Sequence, residues 1–202
     1  MKKGILLLSG GIDSAVAASF ALDSKQELIS LHFVTEKITG KESLEKAKKL
    51  CKILKLKKLY SVEASNAFAE ISKKCDHKYY FVLMKRLMLK TAQKLAQKHK
   101  CTFILTGESL GQVSSQTLSN LSTIDQASTI PVLRPLLGFD KQEIMDYAQK
   151  IGTFEASTGK EMCDALGPPH PATKSSVETI LEEEKKLVGN PLLELEFKEE
   201  KL

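Results

Sequence analysis

The chain has 202 residues, of which 42% are hydrophobic and 27% charged, with a formal net charge of +5. That length supports one hydrophobic core with a small appendage, and the composition is that of an ordinary globular protein, not a disordered or fibrous one. No apolar run approaches the length of a membrane span, and the first strand leads straight into a polar loop without a signal peptide, so a cytoplasmic protein with no membrane partner is expected.

The apolar run Ile5 to Leu8 breaks into Ser9-Gly10-Gly11-Ile12-Asp13-Ser14, and a mostly apolar stretch follows from Ala15 to Leu22. This pattern predicts a buried strand, a tight loop and a helix. The second strand is expected over Glu27–Val34, a helix over Glu42–Leu54 and a third strand over Lys57–Val62. Two helices follow, Asn66–Cys75 and Val82–His99, then a fourth strand at Thr102–Thr106. Gly107 to Leu121 reads as a polar loop running into a helix. Ile130–Leu133 is a short fifth strand, and Lys141–Ile151 is a helix with Asp140 as N-cap. Gly152 to Lys174 is irregular. A last helix, Ser175–Val188, ends at Gly189-Asn190-Pro191.

Alternating strands and helices predict an α/β fold, a doubly wound parallel five-stranded sheet with helices on both faces. Residues 1–175 form its domain, and the helix and acidic tail of 176–202 are expected to pack on it. Ligands of such sheets lie beyond the carboxyl ends of the strands, where the strand order reverses. The loops Ser9–Ser14, His32–Phe33 and Gly107–Gln116 are therefore expected to be neighbours.

Charge is unevenly distributed. Eight lysines lie between Lys41 and Lys58 against Glu42 and Glu45, and nine Lys or Arg between Lys73 and Lys100 against Asp76 alone. Two readings stay open: a surface for a phosphate-rich partner such as RNA, or the solvated outer faces of amphipathic helices. The cysteines Cys51, Cys75, Cys101 and Cys163 are widely spaced, which fits buried, catalytic or metal-bound thiols in a reducing compartment, not a disulfide framework.

The first loop carries the clearest chemistry. Gly10 and Gly11 allow a sharp turn and close approach to a ligand, Ser9, Asp13 and Ser14 place polar oxygens at the helix start, and a helix N-terminus suits a phosphate. The stretch lacks the spacing of the P-loop and of the dinucleotide fingerprint. Ser-Gly-Gly-x-Asp-Ser after an apolar strand resembles instead the PP-loop of ATP pyrophosphatases, which implies cleavage of ATP between its α and β phosphates. An ordinary strand-turn-helix is the alternative.

Thr106-Gly107-Glu108-Ser109-Leu110-Gly111-Gln112-Val113-Ser114-Ser115-Gln116-Thr117 sets amide and hydroxyl groups between glycines. Taken alone it serves a nucleotide or caps a helix. With Arg134-Pro135-Leu136-Leu137-Gly138-Phe139-Asp140, Ile151-Gly152-Thr153, Cys163 and Pro168-Pro169-His170-Pro171-Ala172-Thr173-Lys174, it resembles the PP-loop domain of the tRNA 4-thiouridine synthetases, or thiamine-biosynthesis-type tRNA sulfurtransferases. The resemblance runs from Ile5 to Lys174.

The resemblance implies an adenine nucleotide α-hydrolase-like fold. It implies ATP held by Leu7, Leu8, Ser9, Gly10, Gly11, Asp13 and Ser14, bordered by His32 and Phe33, contacted by Lys85 and enclosed by Gly107 and Gln116. Asp13 and Cys163 are implied to be catalytic, Cys163 by handling sulfur, with Mg²⁺ on the leaving pyrophosphate. Each has a plain alternative: core packing for Leu7, Leu8 and Phe33, a packed strand-end imidazole without acid–base role for His32, a solvated lysine for Lys85, an inert thiol for Cys163. The expected reaction adenylates a uridine carbonyl oxygen and replaces it with sulfur. The rivals are an adenylating enzyme for another nucleobase or a small molecule, and a non-catalytic ATP- or AMP-binding subunit.

Three departures from the family pattern qualify this. The THUMP RNA-binding region and the rhodanese-like domain are missing, so tRNA is expected to be reached with a separate THUMP-type protein, a sulfur donor or a homodimer. A Cys-x-x-Cys that some relatives carry before Lys85-Arg86 is replaced by Phe81-Val82-Leu83-Met84, which removes a cluster site there, and no protein metal site is expected. Cys75 is left as the candidate redox partner of Cys163, with Cys51 and Cys101 as packing residues.

Overall fold

A computed structural model describes residues 2–39, 42–111, 116–158 and 166–202. The chain begins with β1 (Lys3–Leu7), α1 (Ile12–Asp23), β2 (Glu27–Val34), α2 (Glu36–Thr39), α3 (Glu42–Ile53) and β3 (Leu59–Glu63). It continues through α4 (Ser65–Lys74), α5 (Tyr80–His99), β4 (Phe103–Leu105), α6 (Leu118–Asp125) and β5 (Val132–Leu133). Then come α7 (Lys141–Lys150), α8 (Phe154–Ser157), α9 (Val177–Lys185) and β6 (Lys198–Glu200).

The sheet order is β5-β4-β1-β2-β3-β6. β1 pairs in parallel with both β2 and β4, so the strand order reverses between β1 and β4. Strands buried on both faces read as continuous apolar runs, as Ile5–Leu8 and Leu28–Leu31 do. The sheet has six strands, not the five expected, because Lys198–Glu200 pairs antiparallel with β3. Its Lys-Glu-Glu sequence has no apolar alternation. Polar contacts from β3 supplement the ladder: the Tyr60 hydroxyl donates to Glu199 at 2.9 Å and the Ser61 hydroxyl to Glu200 at 2.8 Å.

Alternate strand residues build the two faces. Ile5, Ile29, Leu31, Tyr60, Val62 and Ile104 pack with Phe68, Leu83, Leu89, Leu121 and Ile180 of α4, α5, α6 and α9. Leu6, Leu8, Leu28, Leu59, Phe103 and Leu105 pack with Ala15, Ala18, Ala47, Leu50 and Cys51 of α1 and α3. Val16 and Ala17 carry the reverse side of α1 onto Ile144 and Ala148 of α7. The expected Asp140 cap is a full capping box, reciprocated by Glu143. Among the described residues no helix is long and apolar enough to cross a membrane.

The helix expected to follow the polar loop is α6, with Thr117 as its N-cap, accepting from the Asn120 amide. The chain after Leu166 lies across this helix. Asn120 Nδ2 donates to Ala172 O, Thr117 Oγ1 to Thr173 O, and the Ser119 and Thr123 hydroxyls to Ser175 O.

Arg86 of α5 is only 2% exposed. It donates from Nε and Nη2 to both carboxylate oxygens of Glu184 on α9, and from Nη1 to the Thr123 carbonyl of α6. One guanidinium thus ties three helices over one face of the sheet. Removing one member of a buried pair leaves an uncompensated charge. Arg86→Met is expected to lower unfolding free energy by about 3 kcal/mol, near the low end of that class because Lys90 also contacts Glu184. Urea denaturation monitored by circular dichroism measures it.

Candidate functional site

The site is assembled where β1 and β4 end side by side. The Leu8 amide donates to Leu31 O at 3.0 Å, carrying the β1–β2 pairing one residue past β1. Gly10 then takes φ +91°, a left-handed value that favours glycine. Gly11 is the extended N-cap of α1, and no side chain caps that helix. The serine hydroxyls close the loop instead. Ser9 Oγ accepts from the Gly11 amide at 3.1 Å, while Ser14 Oγ accepts from the Ser9 amide at 3.2 Å and donates to Gly11 O at 3.1 Å. A helix start without a side-chain cap suits a bound anion.

The loop after β4 meets this helix directly. A Cβ at Gly107 would lie 2.5 Å from the Asp13 carbonyl carbon and 2.6 Å from the Ser14 nitrogen. Only glycine permits that approach. On the other side, a Cβ at Gly10 would come within 3.5 Å of Ser43 O and Lys46 Cβ, so α3 flanks the loop. Lys46 reads in sequence as one more helix lysine; its place beside the loop emerges only with the fold.

His32 of β2 is buried, and burial lowers its pKa. Its Nδ1 lies 2.7 Å from Leu8 O, which can only accept, so Nδ1 carries the proton. Nε2 then accepts from the Ser43 hydroxyl at 3.2 Å. This neutral tautomer pins the junction of β1 and the loop. Phe33 is half-buried and stacks on Phe68, with ring centroids 6.4 Å apart. Leu8 is buried and Leu7 half-buried, both with side chains packed in the core, so they offer the site mainly backbone groups.

Lys85 reaches from α5 to Glu108, with Nζ 2.6 Å from Oε1. The other oxygen of Glu108 accepts from Arg134 Nε at 2.7 Å and from the Thr106 hydroxyl at 3.1 Å. The outer fork of Arg134 grips Asp125 at the end of α6, with Nη1 and Nη2 at 3.0 and 2.6 Å from its two oxygens. Burial alone would raise the pKa of Glu108, but Lys85 and Arg134 outweigh it and hold the carboxyl at about 2. Lys85 was expected at the site; Glu108, Arg134 and Asp125 were not expected as a group. The available signal was that Glu108 and Arg134 are charged residues just beyond two adjacent strands. Next to Glu108, the Ser109 hydroxyl is fully buried and has no hydrogen-bond partner among the described residues. Gln116 Oε1 is likewise buried and unpartnered. Buried polar atoms of this kind are satisfied by a ligand or water.

Cys163 lies outside the described residues, as do Gln112–Ser115 of the second motif. Three positions after Cys163, Leu166 O accepts from His77 Nε2 at 2.8 Å. Cys75 is buried at the end of α4, where its thiol donates to Glu183 O at 3.6 Å. Burial pushes that thiol up to about 11, so it stays protonated near neutral pH in this arrangement. Cys51 and Cys101 are buried as well. Among the described residues no cluster of three or more His, Cys, Asp or Glu is placed to hold a metal ion.

The model of the thiamine biosynthesis protein (ThiI) family matches residues 1–188. The chain belongs to this family. A ThiI relative described as a probable tRNA sulfurtransferase, from Thermoanaerobacter sp. (strain X514), is 41% identical over 191 residues, covering 92% of this chain and 50% of the relative. Another of the same description, from Thermus thermophilus, is 40% identical over 201 residues, covering 96% and 50%. The chain thus spans about half the length of these curated ThiI relatives. A crystal structure of a 4-thiouridine synthetase–RNA complex with bound ATP superposes with a TM-score of 0.91 and 34% identity, over 99% of this chain and 55% of that one.

The depressed pKa of Glu108 links the site to acid stability. A carboxyl held low contributes stability that is present above the ordinary glutamate pKa and is lost as pH falls towards the folded value of about 2. The stability difference between the wild type and Glu108→Gln is expected to be roughly 3 kcal/mol at pH 6 and to shrink as pH falls from about 4.3 towards 2. Urea melts of both proteins at a series of pH values follow it.

Proposed function

We propose that this chain binds ATP over the Ser9–Ser14 loop and serves as the ATP-cleaving, sulfur-inserting part of a tRNA sulfurtransferase of the 4-thiouridine type. The observation that carries this reading is the glycine loop at the uncapped start of α1, closed by Gly107 where strand order reverses. The 34% identity to a 4-thiouridine synthetase with bound ATP supports it.

In this reading the loop amides, Ser9 and Ser14 surround the phosphates, and the first turn of α1 stabilises the charge on departing pyrophosphate. The Ser9–Ser14 hydrogen bonds hold the loop ready without a ligand. Leu7, Leu8 and Phe33 border the adenosine, and neutral His32 orients the Leu8 carbonyl without moving a proton. Lys85 faces the phosphates, and Gln116 and Ser109 supply oxygens, without a partner among the described residues, that a nucleotide can satisfy. Mg²⁺ fits as an ion carried mainly by the phosphates with Asp13 as the loop carboxylate, because Mg²⁺ is usually bound through one or two carboxylates plus substrate oxygens. It would add charge neutralisation at the pyrophosphate.

The uridine carbonyl oxygen attacks the α-phosphorus and pyrophosphate leaves. The terminal sulfur of a persulfide on Cys163, charged by an external persulfide donor, then attacks the ring carbon that bears that oxygen and AMP leaves. An external thiol attacks Cys163 Sγ, breaking the S–S bond to form a mixed disulfide with Cys163 and freeing the thiocarbonyl. Participation of Cys75 would require its contact with α9 to open first. The lysines of α3 and α5 are the proposed contacts with tRNA phosphates, with a separate RNA-binding protein and a sulfur donor completing the system.

Two variants separate the steps in an assay of the full chain with tRNA, ATP and a sulfide or persulfide source. Asp13→Ala is expected to lower pyrophosphate release by about 100-fold with an unchanged melting temperature. Cys163→Ser is expected to release pyrophosphate normally while forming far less thionucleoside per pyrophosphate. Unchanged pyrophosphate release in Asp13→Ala would overturn the ATP site, and a wild-type product ratio in Cys163→Ser would remove that cysteine from sulfur transfer.

A further inference from the structure

We infer that Glu108 is a positioning residue for Lys85: its carboxylate holds the lysine ammonium against the loop after β4, where a nucleotide's phosphates would meet it. The inference rests on the ATP-binding reading above and extends it to a residue outside the glycine loop.

Lys85 comes from the second turn of the 20-residue α5, on the face of the sheet opposite α1 and α3. A lysine there has many rotamers, and its head ordinarily seeks water. Here only 19% of its side chain is exposed, and among the described residues its ion-pair partner is Glu108. Glu108 directly follows Gly107, whose backbone lies against the first turn of α1. Binding Glu108 therefore holds the lysine to the residue next to the glycine at which the β4 loop meets α1.

The charge balance of the group gives the arrangement a direction. Lys85 and Arg134 are both mostly buried, and Glu108 is the single acid between them. Asp125, the other acid, is 42% exposed on the outer side of Arg134 and is screened by water. Arg134 is thus paired twice, to Glu108 and to Asp125, while Lys85 is paired to Glu108 alone among the described residues. Glu108 makes it possible to bury both cations together, and its own need for charge is met twice over. A polyphosphate approaching the loop finds Lys85 already largely desolvated and oriented, sharing a carboxylate that Arg134 also satisfies.

Removing the carboxylate has a specific consequence. In Glu108→Gln the two cations face each other without an acid between them, and Lys85 is the mobile one, so it swings out to solvent. ATP binding then loses the lysine although Lys85 is still present. Calorimetry of ATP binding to the full-length chain in the wild type, Glu108→Gln, Lys85→Met and the double variant tests this. Lys85→Met and Glu108→Gln are each expected to weaken ATP binding about tenfold. The double variant is expected to match Lys85→Met alone, and Glu108→Asp to recover part of the loss. The double variant leaves Arg134 as the one cation of the group, still paired with Asp125, so the comparison survives if Glu108→Gln, with two cations and no shared acid, is poorly folded.

Losses that multiply in the double variant would show that Glu108 acts independently of Lys85 and overturn the proposal. Tighter ATP binding by Glu108→Gln would also overturn it, by showing that the carboxylate competes with the nucleotide for the lysine. Failure of the wild type itself to bind ATP would instead strike the nucleotide reading, and this inference with it.

Discussion

The contact on which the site depends is backbone on backbone: Gly107 laid against the Asp13–Ser14 peptide. It joins two loops that are 90-odd residues apart in the chain, and it exists because β4 pairs with β1 on the side away from β2. Any side chain at 107 would push the β4 loop off α1 and carry Glu108 and Ser109 with it. Much else follows from that approach. The loop after β1 is short and closed by its own serines, the β4 loop roofs it, and charged residues from α5 and from beyond β5 arrive at the roof, not at the floor.

Two buried arginines divide the remaining work. Arg86 is committed to structure, satisfied by Glu184 and the Thr123 carbonyl and tying α5 to α9 and α6. Arg134 is committed to the loop, bridging Asp125 and Glu108. Neighbouring residues of α5 thus face different tasks, Arg86 towards the helical layer and Lys85 towards the loop. Buried ion pairs repay their desolvation poorly. Their value here is geometric, because each guanidinium fixes the relative placement of several segments that apolar contacts alone would leave free to slide.

The strand-helix alternation and the glycine loop were legible because each is written in local pattern: apolar runs, a turn dense in small residues, a periodic helix. Lys85 was legible only through its motif position. Its partnership with Glu108 and Arg134 was not, since the three lie on separate segments and only the sheet order brings them together. β6 escaped notice because Lys-Glu-Glu has no strand signature and its pairing is decided by Tyr60 and Ser61. The setting of Cys75 was hidden for a similar reason: a cysteine at a helix end looks accessible until the distant α9 covers it.

The short antiparallel strand β6 has a consequence for how this protein meets other macromolecules. An open parallel sheet normally offers an unpaired ladder at each margin, onto which a further strand can be added. Here one margin is the two-residue β5 and the other is the three-residue, fully charged β6. Neither offers enough unpaired backbone, or enough apolar surface, to template another chain. Association by strand addition is thereby closed off at both sides of the sheet. Among the described residues, what remains for contact with a second protein is the surface of the helices and loops.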